Sequence, residues 1–181
     1  MTVTVSTIFP TYIASKRIDV SKLNVVTTEF KPTFESNIKT SIERGQTLLD
    51  EESMNYLNVQ LTDLLSNMLK PFCKTFVFNC DGIWVNKYEN ADFQGPHIHP
   101  ADFSFIIYYD TDKSNTVFNS PMKQILEAGD GKNIDIFQKT YEPNLKKGDM
   151  LLFPSFIEHW VRPNTNNKTI AGNIKLIEVN K

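Results

Sequence analysis

Three histidines are all the chain has, and two of them stand one residue apart: His97 and His99 in GPHIHP, with His159 far along the chain in PSFIEHW. Side chains on a strand alternate with period two, so an H-x-H pair at the start of a strand puts both imidazoles on one face. Histidine is the commonest neutral metal ligand. A third ring arriving from a distant strand completes a facial triad that leaves coordination positions open for substrate and dioxygen. Any one of these histidines alone is more often a core or surface residue; it is the pair, plus one more histidine ending an apolar strand, that points to a metal. The expected ligands are His97, His99 and His159.

The rest of the chain must position those rings. At 181 residues it fits one domain, 1–181, long enough to bury a large core without staples. A formal charge of -2 and a pI near 5.9 give no basic field for nucleic acid. Cys73 and Cys80 are too few for a disulfide framework, and the N-terminus has no basic segment leading into a long apolar run, so a reducing cytoplasm is expected. No apolar stretch approaches the roughly 20 residues needed to span a bilayer.

The opening VTVSTIFPTYIA is β-rich but punctuated by Pro10, which suits an edge strand. A second β-branched run, Val25 to Phe30, follows, and the pattern is weakly helical from Pro32 to about Arg44. A stronger helix comes next. Asp50 caps it, Glu51 and Glu52 occupy its first turn, and Met54, Leu57, Leu61, Leu64, Leu65 and Met68 recur at helical spacing until Pro71. That stripe reads as core packed on a sheet. Beyond Pro71 come short β-rich runs at 75–79, 82–88, 103–109, 116–118, 134–137, 150–153, 160–162 and 169–179, separated by turns that include 89–94 and 129–133. Many short strands at this spacing predict a mainly β sandwich or barrel, with helices (about 33–70) packed on the outside of the sheet.

Four blocks carry a family resemblance: IFPTYI near the N-terminus, WVNKYENADFQGPHIHP, SFIIYY, and GDMLLFPSFIEHWVRPN. Together they resemble a family of 2-oxoglutarate- and Fe(II)-dependent oxygenases found in bacteria and marine bacteriophages and related to prolyl hydroxylases. The resemblance covers most of the chain. It implies a double-stranded β-helix, or cupin-like jelly roll, with Fe(II) held by His97, His99 and His159 and with 2-oxoglutarate as cosubstrate beside dioxygen. If phage-encoded, the protein would work in the host cytoplasm. The far carboxylate of 2-oxoglutarate needs a cation, and Lys168, nine residues after His159, stands where such enzymes carry Arg or Lys. Tyr88 and Tyr109 are candidate phenolic partners for that carboxylate, each equally readable as a core aromatic. Trp84, Asn86 and Phe93 are candidates for the mouth of the site, and 119–141 for a substrate-recognition loop.

One departure from the wider superfamily matters. It places a carboxylate where this chain has His99, which leaves the iron one charge more positive. Asp102 is an alternative ligand if Pro100 disturbs the strand. The main rival is a cupin-type three-histidine metalloenzyme, a thiol dioxygenase or an isomerase. Gly148, Pro154 and His159 fit the second cupin motif, but Phe156 replaces its glycine and the glutamate of the first motif is missing. Lys168 is the feature expected to separate the two, because a thiol dioxygenase has no use for it. A third reading is a non-catalytic, metal-binding jelly-roll interaction module. The substrate stays open between a protein residue, a nucleobase and a small metabolite.

Overall fold

The computed structural model describes residues 11–26, 30–32, 37–41, 48–124 and 138–180. Eleven strands and one long helix carry the described architecture: β1 Ala14–Arg17, β2 Lys31–Pro32, β3 Lys39–Thr40, α1 Glu51–Leu69, β4 Thr75–Tyr88, β5 Asp92–His97, β6 Phe103–Asp110, β7 Thr116–Asn119, β8 Thr140–Tyr141, β9 Asp149–Pro154, β10 His159–Asn164 and β11 Asn167–Asn180. They form two antiparallel sheets. The larger runs β1-β9-β6-β11-β4-β3-β2 and the smaller β5-β10-β7-β8.

Alternation along the large sheet sorts its side chains to two faces. Val85 of β4, Phe105 and Ile107 of β6, Met150 and Leu152 of β9, and Ile170 of β11 face α1. Trp84, Ile106, Tyr108, Leu151, Phe153 and Ala171 face inward and meet Phe118 of the small sheet. The helix forms where its sequence predicts. Asp50 accepts the Ser53 amide at 2.9 Å, and the buried stripe is Leu57, Leu61, Leu64 and Leu65, with Met54 and Met68 packed at its margins. Each fully buried leucine contributes about 1.5–3 kcal/mol.

Three expectations change. The helical reading of 32–44 meets strand at its described ends, Lys31–Pro32 and Lys39–Thr40, because β3 pairs with the end of β4 through Lys39 and Thr40 opposite Lys87 and Asn86. The runs 75–79 and 82–88 are one strand, β4, which passes through an irregularity where Gly82 takes a φ of 101° and the register slips between Gly172 and Ile174 of β11. The span 89–94 is a turn only to Ala91 (φ 56°), since β5 starts at Asp92. The run at 134–137, the turn at 129–133 and the middle of the 119–141 loop lie outside the described residues, as does the opening run up to Pro10; of its remainder, 11–14, only Ala14 falls in a strand, β1, which lies at an edge of the large sheet.

Candidate metal centre

His97 is the last residue of β5, and His159, the first of β10, is its direct cross-strand partner. His99 lies just beyond β5, where its backbone amide donates to the Ser155 carbonyl at 3.1 Å and ties this exit to the turn after β9. The H-x-H pair therefore ends a strand instead of starting one, and the loop, not strand alternation, brings His99 round. The three rings converge all the same. One ligand nitrogen from each lies within 4.8 Å of the others, with ring centroids 4.2 Å apart for His97 and His159, 5.0 Å for His97 and His99, and 5.2 Å for His99 and His159.

Hydrogen bonds choose the nitrogen that faces the centre. His97 Nδ1 donates to the Gly95 carbonyl at 2.8 Å and His159 Nδ1 to the Ile157 carbonyl at 3.0 Å, which leaves Nε2 of both rings as the unprotonated ligand atom. Gln94 donates its amide to His97 Nε2 at 3.2 Å. His159 is only 3% exposed and stands edge-on to Phe153. Burial first, then the neighbouring His97, pushes His159 down to about 3 and His99 down to about 4, so both rings are neutral at pH 7. Three converging imidazoles, each offering one nitrogen to a common point, suit a divalent transition metal.

A cavity runs from the histidines between the two sheets, and the fate of each candidate follows from its strand face. Trp84 packs against His99 at 5.4 Å, and Asn86 and Tyr88, two and four residues on along β4, line the same cavity. Tyr88 is wholly buried; burial drives its phenol well above the ordinary range, and a hydrogen bond with Thr169 opposes that. Asn86 is 5% exposed, and its side-chain oxygen is buried without a hydrogen-bond partner. Phe93 is exposed and does not line this cavity. Asp102 does not join the histidine group: it is exposed, and its carboxylate accepts the Leu176 amide at 2.8 Å.

Lys168 and Tyr109 lie outside the cavity lining. In the β4–β11 register Lys168 stands opposite Lys87, Thr169 opposite Asn86 and Ile170 opposite Val85. Asn86 lines the cavity and Val85 the helix-side core, so Thr169 points inward and Lys168 outward, over the Tyr109 ring at 5.9 Å. Tyr109 donates to the Leu23 carbonyl on that outer side. The inward tyrosine of β6 is its neighbour Tyr108, whose hydroxyl donates to Thr116 and accepts from Ser114. Gln94, Tyr108, Lys113, Thr116, Asn167 and Thr169 line the cavity and were not singled out from the sequence. The alternation Trp84-x-Asn86-x-Tyr88 was a signal that would have found their layer.

Known proteins resemble this chain in sequence pattern and in fold. Residues 82–170 match the family model described as "Putative 2OG-Fe(II) oxygenase". Among solved structures, an oxidoreductase of the 2OG-Fe(II) oxygenase family from Burkholderia pseudomallei is 14% identical, with a TM-score of 0.54 over 81% of this chain and 71% of that one. HygX from Streptomyces hygroscopicus, solved with nickel and 2-oxoglutarate bound, is 10% identical, with a TM-score of 0.53 over 91% and 83%. SnoN, a non-heme alpha ketoglutarate dependent epimerase from nogalamycin biosynthesis, is 11% identical, with a TM-score of 0.52 over 81% and 65%. At these identities the likeness is one of fold, the double-stranded β-helix. No curated protein matches the sequence.

Proposed function

We propose, from the premise that residues 82–170 carry the 2OG-Fe(II) oxygenase family's module, that His97, His99 and His159 hold Fe(II), the first and last through Nε2, and that the enzyme hydroxylates an unactivated C–H bond. The observation that carries the reading is the convergence of three imidazoles at the head of an inter-sheet cavity. The residues fit the implied groups on two counts. The donor set is right for iron, and the orphaned Asn86 carboxamide waits on a polar ligand in the cavity.

When bound, Fe(II) with 2-oxoglutarate and dioxygen supplies the oxidation, in which cosubstrate is converted to succinate and carbon dioxide while one oxygen atom enters the substrate. The chain contributes position and environment. The Gly95 and Ile157 carbonyls orient two ligand rings and make them better donors. Trp84, Phe153 and Phe118 wall the metal side with apolar surface and keep water from it. His99, standing where relatives place a carboxylate, leaves the centre more positive and draws an anionic cosubstrate more strongly. Both cysteines are free thiols, which supports a reducing compartment. Among the described residues no helix is long and apolar enough to cross a membrane.

A cupin-type three-histidine enzyme is the second reading, favoured by one observation: Lys168, the cation expected to mark a 2-oxoglutarate enzyme, faces away from the site. Anaerobic titration of the protein with Fe(II) and then 2-oxoglutarate separates the two. Oxygenase chemistry requires the weak visible charge-transfer band of the chelate. Iron binding without that band hands the site to the cupin reading, and no iron binding removes both.

A further inference from the structure

A dicarboxylate that enters the inter-sheet cavity brings two negative charges. The metal takes one; the other, left without a cation, is costly to bury. Lys168 is on the wrong face of β11 to answer it. Among the described residues that line the cavity, Lys113 is the sole lysine or arginine. It stands in the turn between β6 and β7, where its carbonyl accepts from Thr111 at 2.9 Å and from Asn115 at 3.4 Å, so its backbone is pinned while the side chain stays exposed. The nearby Glu142 carboxylate, which Lys113 also attracts, is engaged by Arg162 at 2.5 Å.

Distance along the strands sets where the far carboxylate must rest. Trp84 and Ala171 pair across β4 and β11 at the level of the histidines, and Asn86 and Thr169 pair two residues further on. At about 3.3 Å per residue that shelf is roughly 7 Å from the metal layer, a separation suited to the two ends of a five-carbon diacid. The shelf offers hydrogen bonds and no charge: the Asn86 carboxamide, with its oxygen unpartnered, and Thr169, already bonded to Tyr88. We propose that Lys113 is the counter-ion for the distal carboxylate of the cosubstrate, reaching over this shelf while Asn86 and Thr169 complete the hydrogen bonds. The assignment rests on the 2-oxoglutarate reading above.

The test is an anaerobic titration of Fe(II)-loaded protein with 2-oxoglutarate, read by the visible band and by thermal stabilisation, for wild type, Lys113→Ala, Lys113→Arg and Lys168→Ala. Loss of Lys113 should weaken 2-oxoglutarate roughly tenfold or more and flatten the salt dependence of binding, with iron content and circular dichroism unchanged. The arginine variant should keep most of the affinity, and Lys168→Ala should stay within about twofold of wild type. Wild-type affinity in Lys113→Ala, or a larger loss in Lys168→Ala, overturns the assignment and leaves the cosubstrate reading standing. A wild-type protein that binds iron but shows neither band nor stabilisation overturns both.

Discussion

His159 carries the sharpest consequence at the scale of single residues, because it is buried among Phe153, Phe118 and its two partner rings. His159→Ala should abolish iron retention, measured by metal analysis after desalting, while circular dichroism remains that of a folded protein. Collapse of the fold would make it a core histidine instead. Neutral His99 and His159 also mean that metal loading at pH 7 expels no proton from either ring. Calorimetry of metal binding in two buffers of different ionisation enthalpy should find well under one proton released per site; release near two would refute the neutral-ring description. Asn86 makes a trade-off visible. Asn86→Leu removes a buried polar atom without a partner and should stabilise the ligand-free protein by about 1 kcal/mol, raising Tm by roughly 2–4 °C, while shrinking the stabilisation that 2-oxoglutarate confers. The three histidines were readable from residue type and grouping alone. At Lys168 and Tyr109 it is the neighbouring residue, Thr169 or Tyr108, that lines the cavity, since counting residues from a motif says nothing about which side of a pleated strand a position faces, and one step reverses the face.

The elements show which kinds of pattern survive in a sequence. α1 was legible from cap to stripe because propensity, capping and burial agree. β5 was not, since DFQGPH contains the two residues that usually end strands; its Gly95 and Pro96 are tolerated because β5 is the outermost strand of its sheet. β4 was read as two runs, 75–79 and 82–88, whereas it is one continuous strand with an irregularity at Gly82. On β11 the constraint is steric. A methyl group at Gly172 would sit 2.6 Å from the Phe105 ring and 2.7 Å from the Gly82 carbonyl. Gly172→Ala should therefore lower chemical-denaturation stability by a few kcal/mol, an overpacking cost; a neutral result would mean that β4 and β11 separate freely there.

For the molecule as a whole, two neighbouring sheets hold the ligands: the small sheet supplies His97 and His159, and the large sheet supplies the polar shelf. The neutral rings of His99 and His159 set an acid limit on the metal-free protein. Their folded values, about 4 and about 3, lie below the 6.5 of an unfolded histidine, so the unfolded chain binds more protons between those values. Stability without metal should fall as pH drops from about 6.5 toward 3 and be flat with respect to these groups above that range, and adding a divalent metal should steepen the loss in acid. Equilibrium unfolding at a series of pH values, with and without metal, checks both slopes.

His97 closes the outermost strand of the small sheet, whereas His159 begins one flanked on both sides. An ion shared between them is thus a clasp on an edge of the small sheet. Strip it with a chelator, and amide hydrogen exchange should quicken first along Asp92–His97. In a cell, a hem loosened in this way would lie open to proteases, so the amount of this chain that persists would track the supply of iron.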